Sequence, residues 1–136
     1  MPIPVYPQPT VTSTNRPLIE GWQRGELMLQ HCEECSKVIF FPRHNCPRCW
    51  SSRLAWKKST GQGKIVSFAR VYKHVSEPFG AEAPTILAEI DLADGVGMMA
   101  RVITSDVASI ASGMRVELVP MPDAARYPLP TFQLAK

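Results

Sequence analysis

The chain has 136 residues and a formal net charge of +3, a length at which one compact core and a small appended module can form. No uninterrupted apolar run approaches the length of a membrane-spanning helix, which is about 18 residues or more. Residues 1–17 lack the basic head and the apolar stretch of a signal peptide. We therefore expect a cytoplasmic protein with no membrane segment.

Charge is distributed unevenly along the chain. Residues 36–76 contain no Asp or Glu but nine Lys and Arg residues, so the rest of the chain is net acidic. A segregated basic zone of this kind suits nucleic acid, a phosphorylated small molecule or an acidic protein partner. An ordinary solvated basic face is the alternative explanation.

The first 30 residues are predicted to form an extended arm followed by a short helix. Residues 1–14 carry four prolines and no periodic apolar pattern, which indicates an extended segment. Asn15 is a suitable N-cap, and Leu18, Ile19 and Trp22 follow at helical spacing. These residues predict a helix over 16–25.

Every cysteine of the chain lies in two Cys-x-x-Cys pairs separated by ten residues: Cys32, Cys35, Cys46 and Cys49. Two such turns can aim four thiolates at one tetrahedral centre with no position left for water, which is the pattern of a structural zinc site. A rubredoxin-like iron site would use the same ligands, so it stays open. A thioredoxin-like redox pair is disfavoured because no βαβ unit surrounds either pair. We interpret His31 and His44, which flank the cysteines, as surface residues.

The cysteine pairs predict a zinc ribbon over residues 31–58. The segment "ELMLQ" leads into the first pair, "KVIFF" is typical of a strand leaving it, and Pro42 stops that strand before the second pair. We interpret "LAWKKSTGQGK", residues 54–64, as a turn between the ribbon and the C-terminal half of the chain.

Residues 59–136 are predicted to form a five-stranded barrel. Strands are expected over 64–74, 85–91, 96–103, 114–119 and 130–134, with a tight hairpin at "LADG". The segment "SDVASIASG", residues 105–113, favours a short helix capped by Ser105. Five strands with one helix between the third and the fourth is the order of an OB-fold. The expected fold is therefore mainly β: an N-terminal helical segment, a rubredoxin-like zinc ribbon and an OB-fold barrel.

Several short motifs resemble one known family. These are a helical segment ending in "GEL", the four-cysteine ribbon with "PR" before the third cysteine, a "GQGKI" entry into the barrel, "GM" at the fourth strand and a terminal "PTF". In this order, over about residues 15–134, the chain resembles the acyl-CoA-associated zinc-ribbon/OB-fold proteins, long catalogued as a domain of unknown function. The resemblance implies an accessory subunit that accompanies thiolase-like or hydratase-like enzymes. Ser36 departs from the family pattern, in which Gly often follows the second cysteine.

The barrel strands help to distinguish acyl-CoA from nucleic acid as a ligand. Oligonucleotide-binding barrels display aromatic residues on their second and third strands, whereas "TILAEID" and "VGMMARVI" contain none, so nucleic acid is an unlikely partner. On the first strand Phe68, Arg70, Tyr72 and His74 alternate on one face. That face would suit the adenine ring and phosphates of coenzyme A, although mixed packing would explain it equally well. Arg43 follows the proline of the ribbon loop.

Catalysis by this chain alone has little support in the sequence. No cysteine is left over if all four bind metal, no serine lies in a nucleophile elbow, and His74 has no identifiable orienting carboxylate. We expect a non-catalytic accessory subunit of an acyl-CoA enzyme, with acyl-CoA contacted by Arg43, Arg70, Phe68 and Tyr72. A nucleic-acid-binding module is the alternative, and a rubredoxin-like electron carrier the third hypothesis.

Overall fold

The computed structural model describes residues 9–72 and 85–135. In these ranges it contains one α-helix and eight strands: α1 (Arg16–Gln23), β1 (Met28–Cys32), β2 (Val38–Ile39), β3 (Leu54–Lys58), β4 (Gln62–Val71), β5 (Thr85–Leu92), β6 (Gly97–Ile103), β7 (Arg115–Leu118) and β8 (Thr131–Leu134). No helix in this part of the chain is long and apolar enough to cross a membrane. The mainly β composition agrees with the prediction.

The helix α1 anchors the N-terminal segment to the barrel. Its predicted start is correct, and it ends at Gln23, two residues earlier than expected. Leu18, Ile19 and Trp22 are buried, as their spacing predicts. The indole N–H of Trp22 donates a hydrogen bond to the carbonyl of Tyr127 at 2.9 Å. This bond joins the helix to the segment that precedes the last strand.

The ribbon is built on a three-stranded antiparallel sheet with β1 in the middle. β2 pairs with one edge of β1 and β3 with the other, and Cys32 lies opposite Leu54. The interpretation of residues 54–64 as a turn was wrong for its first half, because residues 54–58 form β3. Pairing with β3 supplies hydrogen-bond partners that one side of the buried strand β1 would otherwise lack. The strand predicted at "KVIFF" is limited to β2.

The second sheet is a closed five-stranded barrel in the order β4, β5, β6, β8, β7. β6 and β8 run parallel, with Arg101 opposite Thr131, and the other pairs are antiparallel. The pairing of β4 with β7 closes the barrel, with Lys64 opposite Arg115. This connectivity confirms the OB-fold.

The strand bounds follow the predicted ones closely. β5 to β8 each differ from the expected range by at most one residue at either end, and β4 begins two residues earlier than expected. The predicted hairpin at "LADG" is present, with Gly95 in the left-handed region at φ 96°. Residues 73 and 74 of the first predicted strand, including His74, lie outside the described residues.

The prediction of a helix over residues 105–113 is wrong. The segment holds only a one-turn 3₁₀ helix at Val107–Ser109, preceded by Asp106 rather than by Ser105, and no side chain caps it. Only Ile110 of this segment is buried and Val107 partly buried, which is too little apolar contact to hold a longer helix against the barrel. A second 3₁₀ turn, Asp123–Arg126, was not predicted.

One core joins the ribbon side of the molecule to the barrel. Leu27, just before β1, and Leu29, on β1, are fully buried. They cluster with Ile65, Ile90 and Phe132 of the barrel. A separate buried cluster within the ribbon contains only Cys32, Ile39 and Cys46. So small an apolar cluster stabilises little by itself, so the end of the ribbon around the cysteines depends on a cross-link.

Candidate metal centre and adjoining surface

The four cysteine sulfurs converge on one point. Their Sγ atoms all lie within 4.8 Å of one another, and the distances from Cys32 to Cys49 and from Cys35 to Cys46 are each 3.5 Å. A tetrahedral zinc ion with bonds of about 2.3 Å to sulfur requires sulfurs about 3.8 Å apart. The cysteines are therefore positioned for metal binding, and four thiolates of this geometry fit a closed tetrahedral centre.

The two Cys-x-x-Cys turns have the same backbone geometry. In each, the first cysteine donates its N–H to the carbonyl five residues ahead and accepts from the N–H four residues ahead. The bonds are Cys32 to Lys37 at 2.9 Å, Ser36 to Cys32 at 3.0 Å, Cys46 to Ser51 at 2.8 Å and Trp50 to Cys46 at 2.8 Å. Backbone N–H groups also approach the first sulfur of each turn, from Cys35 at 3.5 Å and from Arg48 at 3.4 Å.

The residue after each cysteine pair adopts a left-handed conformation, with φ 64° at Ser36 and φ 63° at Trp50. Ser36 stands at a position where Gly is common in the family, and the left-handed backbone explains that preference. Trp50 occupies the equivalent position after the second pair, and its left-handed conformation was not predicted from the sequence.

The thiols of the second turn have opposed acidities in the absence of metal. Burial raises the pKa of Cys46, but the N–H groups of Cys49 and Arg48 and the neighbouring thiols outweigh it and lower the pKa to about 6. For Cys49 a hydrogen bond from Ser51 favours the thiolate, yet burial and the shared hydrogen bonds with the other cysteines raise its pKa to about 12. Four thiolates together therefore need a cation to compensate their charge.

The loop between the cysteine pairs is held by a buried amide that sequence reasoning missed. The side chain of Gln30 is 4% exposed; its Nε2 donates to the carbonyl of Arg43 and its Oε1 accepts the N–H of Arg43, each at 2.8 Å. His44, the next residue, hydrogen bonds with the hydroxyl of Thr14 at 2.8 Å. These contacts fix the backbone of Arg43 while its side chain stays exposed.

An apolar groove of about 370 Å³ lies beside this loop. Its walls come from the segment before and within α1, from the ribbon loop and from the barrel: Thr12, Thr14, Asn15, Leu18, Phe40, Phe41, Pro42, Met98, Met99, Leu129 and Pro130. Phe41, Met99 and Leu129 are large apolar residues about half or more exposed. Arg43 directly follows Pro42, so a positively charged residue is adjacent in sequence to one apolar wall of the groove.

The guanidinium of Arg70 makes intramolecular hydrogen bonds to the backbone of the 107–110 segment. Its Nε donates to the carbonyl of Val107 at 2.8 Å, and its Nη2 lies 3.2 Å from the carbonyl of Ala108 and 3.3 Å from that of Ile110. The guanidinium also lies over the ring of Phe68, 5.0 Å from its centroid, so the two residues share a face. Tyr72, which directly follows β4, is exposed. Their role as ligand contacts stays a prediction, as does that of Arg43.

Replacing Arg70 with Ala is expected to lower the free energy of unfolding by about 1.5–3 kcal/mol, because three carbonyls lose a charged donor. Chemical denaturation measures the change. Arg115→Ala is the control, since Arg115 is an exposed cation on β7. Equal stability of the two variants would contradict a structural role for the Arg70 contacts.

Two family models match the chain in sequence. One, described as the ChsH2 rubredoxin-like zinc ribbon domain, matches residues 20–55. The other, described as the ChsH2 C-terminal OB-fold domain, matches residues 56–120. Together they cover most of the chain, in the order in which the ribbon and the barrel occur.

Curated relatives match over most of the chain as well. A "DUF35 domain-containing scaffold protein" of Methanothermobacter thermautotrophicus is 32% identical over 98 residues, which are 71% of this chain and 73% of the relative. A protein of the same description from Methanocaldococcus jannaschii is 30% identical over 108 residues, 75% of each chain. A "Probable enoyl-CoA hydratase alpha subunit" of Thermomonospora curvata is 25% identical over 134 residues, 98% of this chain and 41% of that longer protein.

Solved structures share the fold. The chain named Ltp2-ChsH2(DUF35) aldolase superposes with a TM-score of 0.81 at 23% identity, covering 95% of this chain and 100% of that one. A DUF35 protein of unknown function from Sulfolobus solfataricus has a TM-score of 0.65 at 12% identity, covering 92% and 87%. The sequence matches confirm the resemblance inferred from the motifs: the chain belongs to the DUF35 family, in its ChsH2 form of a rubredoxin-like zinc ribbon followed by an OB-fold.

Proposed function

We propose that the protein is a non-catalytic accessory subunit of an acyl-CoA-processing enzyme, thiolase-like or hydratase-like, with a structural zinc ion held by its four cysteines. The observation that carries the proposal is the closed four-thiolate geometry, which leaves a metal no open position for substrate. Such a centre braces a surface. The names of the relatives, two scaffold proteins and a hydratase subunit, support an accessory role beside an enzyme of acyl-CoA chemistry.

The surface that the metal centre braces is the loop of the apolar groove. Phe40, Phe41 and Pro42 lie between the two cysteine pairs and form one wall. In this proposal an acyl or pantetheine chain lies along that wall, because burying apolar surface is favourable. The guanidinium of Arg43 then meets a phosphate through charge-assisted hydrogen bonds. Its backbone is already fixed by Gln30, so little ordering is needed on binding.

Arg70 and Tyr72, the predicted ligand contacts on and just after β4, are secondary contacts in this proposal. Within residues 9–72 and 85–135, the bonds of Arg70 use its Nε and Nη2, and in this proposal Nη1 meets a phosphate. The exposed ring of Tyr72 is available for an adenine. Because Arg70 also holds the 107–110 segment, changing it would disturb folding and binding together. Arg43 is therefore the cleaner residue to test.

The test begins with co-expression of the tagged chain and, one at a time, the thiolase-like and hydratase-like subunits of the same genome. Gel filtration of wild-type protein should yield a complex with one of them. In steady-state kinetics of that complex, Arg43→Glu should raise the KM for the acyl-CoA about tenfold or more, as expected for losing a charge-assisted contact.

Arg115→Glu is the matched control, because it makes the same charge change at an exposed site on β7. Its KM should stay at the wild-type value. Equal kinetics of Arg43→Glu and wild type would exclude the acyl-CoA contact. Failure of every tested subunit to bind would overturn the accessory role itself.

A further inference from the structure

Trp50 has the most exposed side chain among the large apolar residues of the described chain, at 77%. It also occupies a left-handed backbone position, φ 63°, which costs a side-chain-bearing residue free energy that Gly would avoid. An indole this exposed recovers little of that cost by burial. Nothing in the ribbon fold therefore accounts for Trp at this position.

The backbone of Trp50 is held from both sides. Its N–H donates to the carbonyl of Cys46 at 2.8 Å, and its carbonyl accepts from Nδ2 of Asn45 at 3.0 Å. The metal-binding turn that ends at Cys49 immediately precedes it. The indole thus projects into solvent from a rigid base, the arrangement in which a contact loses little entropy on binding.

One exposed cation lies close to Trp50 in the sequence. Arg48, two residues earlier, is exposed, and the ion pairs found among the described residues belong to Arg16, Arg24 and Arg53. The basic segment offers Arg48 no carboxylate of its own, since residues 36–76 contain no acid. An Asp or Glu on a partner would complement this charge.

We propose that Trp50 and Arg48 form a protein-docking tip, which inserts into an apolar pocket flanked by Asp or Glu on the acyl-CoA enzyme subunit. The inference rests on the proposed function and names the contact surface within it. Trp and Arg are the residues that most often dominate protein–protein binding energy. Glu33 and Glu34, on the neighbouring cysteine turn, lie 3.4 and 3.8 Å from Arg53 and offset its charge, so the net positive charge here is small, which favours a protein partner over the phosphates of a nucleic acid or a lipid surface.

The test is the affinity of purified variants for the subunit that forms a complex with wild-type protein, measured by calorimetry or biolayer interferometry. Trp50→Gly should raise the Kd about 30-fold or more, since it removes the anchor. It should leave zinc content unchanged and thermal stability equal or higher, because Gly relieves the left-handed backbone. Arg48→Glu should also raise the Kd. The increase should be larger at low salt, where charge interactions are screened less.

Ser36→Gly is the matched control, because it makes the same backbone change in the first cysteine turn without removing an aromatic ring. It should bind like wild type. If wild type binds its subunit and Trp50→Gly binds equally well, the docking tip alone is overturned. If Trp50→Gly loses zinc or stability together with binding, Trp50 is a structural residue and the docking tip is again overturned. If wild type binds none of the subunits, both this inference and the proposed function fail.

Discussion

Replacing Cys46 with Ser is expected to abolish zinc binding and to unfold the ribbon around the cysteine turns. Cys46 is fully buried, and its cluster includes only two other buried residues, so few apolar contacts remain once the metal is lost. Structural zinc in small modules contributes on the order of 10 kcal/mol of folding free energy. The apolar contacts of this cluster, which besides the cysteines involve Ile39 and the partly buried Leu54, are too few to compensate for a loss of that size.

The measurement combines elemental analysis with amide hydrogen exchange. Wild type should contain one zinc per chain and be colourless; the variant should contain none and lose protection in β2, while β5 and β6 keep theirs because they lie inside the barrel. Ser52→Ala, an exposed change in the same module, is the control and should retain its zinc. A red protein with a reversible one-electron couple would instead favour the rubredoxin-like iron site.

The same centre should release its metal on acidification. Thiolates bind zinc and thiols do not, so protons compete with the metal as the pH falls. Cys46 keeps its thiolate down to its pKa of about 6, whereas Cys49, whose pKa is raised to about 12, takes up a proton as soon as the metal leaves. The stability that zinc contributes is therefore present at neutral pH and lost below it. Zinc release into a chromogenic chelator, followed as the pH is lowered, measures this loss, and retention of zinc well below pH 5 would contradict it.

The second large effect is expected in the barrel. Phe132 is fully buried in β8, the strand that lies between β6 and β7 in the barrel and pairs with both. Phe132→Ala should lower the free energy of unfolding by about 3–5 kcal/mol, the usual range for deleting a buried ring and leaving a cavity. A domain of this size has only about 5–15 kcal/mol in total, so the loss is a large fraction of its stability.

Urea denaturation of the zinc-loaded protein measures this change. Leu87→Ala is the matched control, because Leu87 lies on β5 with its side chain 44% exposed. Its free energy of unfolding should change by less than about 1 kcal/mol. Similar losses for the two variants would contradict the placement of Phe132 at the centre of the core.

Local patterns were sufficient to predict the metal centre and the barrel. The spacing of Cys32, Cys35, Cys46 and Cys49 determines which sulfurs can converge, because each pair spans a single turn. Alternating or continuous apolar runs bounded by Gly, Pro and Asp determine the strands, and the number and order of those strands leave few topologies. Both signals lie within short stretches of the chain.

Features that depend on distant contacts could not be predicted. β3 forms by pairing along β1, and residues 105–113 place only Val107 and Ile110 against the core, which is too little apolar contact to hold a helix. The hydrogen bonds between the side chain of Gln30 and the backbone of Arg43 join residues that are 13 apart in the sequence. A glutamine in a strand carries no local signal of such a role. The exposure of Trp50 likewise becomes visible only when the turn is folded.

The shared core has a consequence for recombining members of the family. Leu27 and Leu29 precede the first cysteine in sequence, yet they pack into the barrel beside Ile65 and Phe132. A chimera that exchanges ribbons at the junction between β3 and β4 therefore also replaces part of the barrel's interior. Exchange of residues 41–50 alone would alter the groove and the docking tip while leaving both leucines native. We expect this exchange to change partner preference through the proposed docking tip without redesigning the fold.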